Sequence, residues 1–134
     1  MGFKDADEVR HFVGGVFLTG FAHPEIGPRL RDSAVVLRLV FTEPASELVV
    51  DMPGGRIGAA EDLPEPTVVM RVKAAFANAY FQGRLNLPLA IARRQIAVEG
   101  ALGGVLKLAP LSAILVPDYV ASLRAERRDD LIVR

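Results

Sequence analysis

The sequence predicts an α+β domain, and three observations predict it. Val9, Phe12, Val13, Val16 and Phe17 recur at the spacing that gathers side chains on one stripe of a helix. Period-two alternation follows over residues 34–42 and again over 47–52, the pattern of two half-buried strands. Beyond residue 66, short strand-like runs alternate with alanine- and leucine-rich helical stretches.

Asp5, followed three residues later by Glu8, forms a capping box with a carboxylate in place of the usual hydroxyl, so the first helix begins near Asp5. Gly14 and Gly15 in its middle each cost up to about 1 kcal/mol relative to Ala, which leaves its length open and permits close packing there. Residues 23–33, HPEIGPRLRDS, read as a loop or broken helix. In the first strand Val35, Leu37, Leu39 and Phe41 share a face, with Val36, Arg38, Val40 and Thr42 on the other. After the EPAS turn, Leu48, Val50 and Met52 repeat the pattern, and the two strands form an antiparallel hairpin.

PGG at 53–55 is a turn, RIGAA a weak third strand, and EDLPEP a connection able to cross the sheet. TVVMRV at 67–72 is the fourth strand. KAAFANAYFQG switches to helical spacing, with Gly83 suited to the C-terminal cap, and NLPLAIA makes a short helix that tolerates Pro88 in its first turn. RQIAVEG is the fifth strand. Leu102, Val105, Leu106 and Ala109 make a helical stripe that Pro110 closes, and a last helix runs from about Pro117 to about Arg127.

With 134 residues the chain fits one domain, 1–134, made of an N-terminal helical segment (1–33), the strands and helices between, and a C-terminal helical segment (111–134). Sixteen basic and sixteen acidic side chains cancel, which removes the positive field expected of a nucleic-acid binder. The absence of cysteine excludes disulfides and thiolate metal sites. LAPLSAILVP, the longest nearly unbroken apolar run, falls short of the roughly 20 residues a membrane-spanning helix needs, so no stable membrane insertion is expected. Acids stand in MGFKDADEVRHF where a signal peptide carries an apolar stretch, which points to the cytoplasm.

Reactive chemistry is sparse. His11 and His23 have no second histidine three or four residues on with which to share a metal, and the serines lack a G-x-S-x-G setting. GALGG, between a strand and a helix, matches no phosphate-binding pattern and reads as a tight turn. No catalytic residue, metal or cofactor is assigned. Residues 83–111 contain no His, Asp, Ser, Thr, Cys or Tyr at all.

FQGRLNLPLAIARRQIAVEGALGGVLKLAPL resembles the C-terminal half of the sterol carrier protein 2 (SCP2) domain family, whose pattern meets Gly83, Arg84, Leu85, Asn86, Ala90, the strand through Ile96 and Val98, Gly100, Lys107 and Leu108. VVDM and PEPTVVM fit the same family upstream, so the resemblance covers about residues 34–111. Pro88 lies two places later than the family's proline, and Arg94 and Gln95 stand where a Gly-Lys pair is common. The resemblance implies a five-stranded mixed sheet with a β-hairpin start, covered on one face by helices. It also implies an apolar tunnel between the layers for a fatty acid, a fatty acyl-CoA or a sterol-like lipid, with no catalytic residue.

On that reading Phe76, Tyr80, Phe81, Leu85, Leu87 and Ile91 supply one wall, and Leu102, Leu106, Leu111, Ile114 and Leu115 another. Tyr80, Gln82 or Gln95 would anchor a polar group. Ten buried methylenes would contribute up to about 8 kcal/mol, a micromolar affinity before ordering costs. The segment LSAILVPDYV is a lid, a helix docked in the core, or the interface of a homodimer or protein partner. Two other functions stay open: a small cone-shaped α+β enzyme, which would need a tyrosine or carboxylate with a shifted pKa aimed into the pocket, Tyr80 or Asp51, and an accessory interaction module.

Overall fold

The computed structural model describes residues 2–133. β1 (Val36–Thr42) and β2 (Ser46–Asp51) form the expected antiparallel hairpin, and β3 (Arg56–Gly58) pairs with the outer edge of β2. β4 (Val68–Lys73) lies parallel to β1 and β5 (Ile96–Gly100) antiparallel to β4, giving one mixed sheet in the order β3-β2-β1-β4-β5. A chain leaving β3 must therefore pass β2 and β1 to reach β4. Residues 59–67 make that crossing, through a 3-10 turn at Ala60–Asp62, and Leu63 settles against Gly58.

Register sorts the two faces of the sheet. Leu48, Leu39, Met70 and Val98 stand side by side across four strands, and Phe41, Val72 and Ile96 form a second row. All point to the helical layer, because side chains of one parity share a face. The other face carries ion pairs between neighbours, Arg38 with Glu47 and Arg71 with Glu99.

The helical layer comprises α1 (Ala6–Ala22), α2 (Ile26–Asp32), α3 (Ala74–Phe81), α4 (Leu87–Ala92), α5 (Leu102–Ile114) and α6 (Val116–Ala125). Asp5 caps α1 by accepting from Glu8 N at 2.9 Å, while the Glu8 carboxylate takes Lys4 N, one residue before the reciprocal donor of a capping box. α1 runs unbroken through Gly14, where a Cβ would stand 2.8 Å from Ile57 Cδ1: the missing side chain lets helix and sheet edge approach. Within 23–33 a helix does form, its start held by His23 Nδ1, which accepts from Ile26 N at 3.2 Å.

One expectation is overturned. α5 does not stop at Pro110 but continues to Ile114. Pro110 is exposed and so is Leu106, whose carbonyl loses its partner, so the unpaired group lies on the water side of the helix and the break is tolerated.

The C-terminal part docks in the core. α6 meets α5 at a 59° bend and buries Tyr119 and Leu123, at 1% and 0% exposure. Arg128 clasps the end of α6 to the start of α1, donating to Gly2 O and Asp130 and pairing with Glu8. No single helix among the described residues is long and apolar enough to cross a membrane.

α3 and α4 both end in Schellman turns. After α3, Gly83 takes φ +74° while Arg84 N reaches Ala79 O at 2.9 Å. After α4 the same turn has Gln95 N on Ala90 O at 2.9 Å, but the left-handed residue is Arg94, at φ +61°. Left-handed geometry costs an L-residue about 1–2 kcal/mol, and glycine's extra freedom in the unfolded chain returns roughly 0.4–1 of that. Arg94→Gly should therefore stabilise the protein by about 0.5–1 kcal/mol in urea denaturation. Arg94→Ala, which keeps the Cβ, should stay within roughly 0.5 kcal/mol of the parent.

Candidate functional site

Between sheet and helices the packing leaves an internal cavity. It offers about 100 Å³ to the centre of a water-sized sphere. Its floor is the inward face of the sheet: Leu37, Leu39 and Phe41 of β1, Met70 and Val72 of β4, Ile96 of β5, and Met52 just beyond β2. Val16 and Phe17 of α1 and Ile26 and Leu30 of α2 close one side. Ala77, Tyr80 and Phe81 of α3, Leu87 of α4, and Val105, Leu108, Leu111 and Ser112 of α5 close the rest. The wall is almost wholly carbon.

A more open groove of about 470 Å³ runs along the outside, between the α3–α4 turn (Gly83, Leu85, Asn86, Pro88) and α5 (Leu106, Pro110, Ala113). Tyr80, Leu87, Ala109 and Ser112 line both spaces and so form the partition between them. Tyr80 Oη lies 2.6 Å from Ser112 Oγ, and the Ser112 hydroxyl donates to Ala109 O at 2.6 Å. Burial holds the Tyr80 phenol above its ordinary pKa, so it is neutral near pH 7.

The other buried polar side chains are occupied elsewhere. Asn78 donates to Leu131 O at 2.8 Å and accepts from Tyr119 Oη at 2.7 Å and from Gln82 Nε2 at 2.9 Å. Gln82 also donates to Leu131 O and accepts from Val133 N. This network ties α3 to α6 and the C-terminal tail. Gln82 is thus a structural amide rather than an anchor facing the cavity, and Gln95 does not line the cavity either. Asp51 is buried but points into the β2–β3 turn, where it accepts from Gly54 N at 3.1 Å and Arg56 Nε at 3.2 Å.

Of the eleven residues named from sequence, Tyr80, Phe81, Leu87, Leu111 and Leu115 line the cavity, while Leu85 and Leu106 line the groove. Phe76, Ile91, Leu102 and Ile114 line neither. Phe76 lies beneath Lys73, whose Nζ is 6.0 Å from the ring centre, and Ile114 is 53% exposed. α5 is apolar nearly all round, and periodicity alone could not say which stripe turns inward. The sheet floor and the α1–α2 side were not assigned to the site from sequence, although the alternation of β1 and β4 already placed their residues on one face.

No protein-family model matches the chain, and no curated protein matches its sequence. Solved structures do match in fold. The sterol carrier protein domain 2 of Helicoverpa armigera aligns with a TM-score of 0.65 at 16% identity, over 81% of this chain and 88% of that one. Sterol carrier protein 2 like 2 from Aedes aegypti aligns at 0.59 and 20% identity, over 76% and 94%. UbiJ-SCP2, a ubiquinone synthesis protein, aligns at 0.59 and 15% identity, over 86% and 95%. The chain has the SCP2 fold.

Burial raises the Tyr119 phenol well above its ordinary value. Because the folded pKa is the higher one, the associated stability is fully present below about pH 10 and is lost as pH rises towards the folded pKa. Tyr119→Phe should cost about 1 kcal/mol near neutrality, since Asn78 Oδ1 keeps its bond from Gln82. Melting temperatures measured from about pH 8 to 11 should fall less steeply for this variant than for the parent.

Proposed function

We propose that this chain is a single-domain, non-catalytic binding or carrier protein for a hydrophobic or amphipathic lipid, held in the cavity between sheet and helices. The observation that carries the reading is the cavity wall, whose side chains are apolar throughout except for the Tyr80–Ser112 pair. Such a lining offers apolar contact everywhere and orientation at one point, as lipid sites require. With about 100 Å³ of space, and a water's share of liquid volume about 30 Å³, the cavity as it stands takes only a few water-sized groups. That is a short acyl segment.

A longer tail needs the wall to yield, and two features favour this. Met52 and Met70 in the floor are unbranched and adapt readily to a new shape. α5 has few internal ties along its length: Ala101 provides no side-chain cap, and Pro110 removes one helical hydrogen bond. The tail of a bound lipid would lie over the sheet, with its polar end near Tyr80 and the groove. The enzyme reading has less support: Asp51 is engaged in its turn and faces away from the cavity, and Tyr80, although on the cavity wall, is partnered by the Ser112 hydroxyl rather than by a carboxylate. The SCP2-fold neighbours, two of them sterol carrier proteins, support the carrier reading.

Ala109 faces both cavity and groove, so Ala109→Phe fills the space with a ring while adding apolar contact. Lipid that co-purifies with the parent and is seen by native mass spectrometry should be absent from the variant. Affinity for added straight-chain amphiphiles should fall at least about tenfold, with the melting temperature kept within a few degrees. A parent that carries no lipid and binds none added would overturn the reading.

A further inference from the structure

The hydrogens of the Tyr80–Ser112 pair can run in one direction only. A carbonyl oxygen cannot donate, so the single hydroxyl hydrogen of Ser112 is committed to Ala109 O. In the Tyr80–Ser112 contact the donor is therefore Tyr80. Both hydrogens are then used. What the pair still offers is lone-pair density on the phenolic oxygen, an acceptor without a proton to give. Among the described residues, no Lys, Arg or His lines either the cavity or the groove.

We propose that the cavity selects amphiphiles whose polar end is a neutral hydrogen-bond donor, an alcohol hydroxyl above all, over carboxylates, with the ligand hydroxyl donating to Tyr80 Oη. This rests on the lipid-binding reading above and narrows it. A carboxylate beside Tyr80 would meet an oxygen lone pair, with no cation among the described residues that line the cavity or the groove, and a buried anion without a partner is costly. An alcohol extends the donor chain by one link, hydroxyl to Tyr80 to Ser112 to the Ala109 carbonyl, and leaves no group unpaired.

The test is calorimetric titration of the full chain with n-decanol and n-decanoate near pH 8. Decanol should bind at least about tenfold more tightly, and the gap should narrow as pH falls towards the acid's own pKa, because the protonated acid regains a donor. Water solvates decanoate better than decanol, so the decisive quantity is how the ratio changes in two variants. Ser112→Ala releases the Tyr80 hydrogen to act as a donor, and decanoate should gain relative to decanol. Tyr80→Phe removes the acceptor, and the alcohol preference should drop by about threefold to tenfold.

Thermal unfolding shows whether each variant is folded, and should Ser112→Ala fail, Tyr80→Phe decides alone. Equal or tighter decanoate binding by the parent, or a ratio unmoved in the folded variants, overturns the selectivity while lipid binding stands. If neither ligand binds the parent, the lipid-binding reading falls, and this inference with it.

Discussion

An apolar cavity survives inside a small domain only if its rim is held by contacts that do not depend on filling the middle. At about 24 cal/mol per Å³, a void of this size forfeits on the order of 2 kcal/mol, a sizeable part of the stability of a marginal fold. Here the rim is held in several places. α1 approaches the sheet edge closely at Gly14, and α3 issues directly from β4 with Ala74 fully buried. α6 is pinned to α3 by Asn78, Gln82 and Tyr119, and Arg128 draws the C-terminal tail to the start of α1. The layers are fixed at their edges, and collapse at the centre would require breaking buried hydrogen bonds.

The distribution of buried polar groups follows from the same constraint. Asn78 and Gln82 lie on the side of α3 that meets the C-terminal tail, and Tyr80 lies on the side that meets α5. One helix thus faces two environments. Its tail side uses amides because the carbonyl of Leu131 and the amide of Val133 need partners away from water. Its cavity side uses a phenol because most of a tyrosine is apolar surface and only its tip is polar. Asp51, the one buried side-chain carboxylate among the described residues, pairs locally with Arg56 and a turn amide, which keeps it off the cavity floor.

Much of the architecture was legible in the sequence because strands of this kind encode their own orientation. Leu37, Leu39 and Phe41 alternate with Arg38 and Val40, and the register confirms every one of them on the helix side. Asp5 announced a helix start by its capping carboxylate and Gly83 a helix end by its freedom at positive φ, and the structure uses both in that role. The failures have physical reasons too. Pro110 has the chemistry of a helix terminator, but on the wet side of α5 the carbonyl it frees is open to water and the helix continues past it. Leu106 and Ile114 are as aliphatic as Leu111, but the inward stripe of α5 is Val105, Leu108 and Leu111, continued by Leu115 at the α5–α6 bend. In a helix with apolar residues on every side, only the tertiary structure chooses the face.

The cavity itself was beyond what patterning can reveal, and the resemblance alone suggested it. Alternation in β1 and β4 reads the same whether the opposite layer fills the space or stops short of it. What distinguishes the two cases is the size of the facing residues, and here they are small or stand aside. Ala77 and Ala109 present methyl groups where larger side chains would close the gap, and Gly104 lets α5 lie against Val35, whose Cγ2 is 2.9 Å from where a Cβ would stand. Close approach at that end of α5 and small side chains farther along together leave the hollow over Leu39 and Met70. The void is thus a property of a few residues that are not large, a signal visible only once their partners across the interior are known.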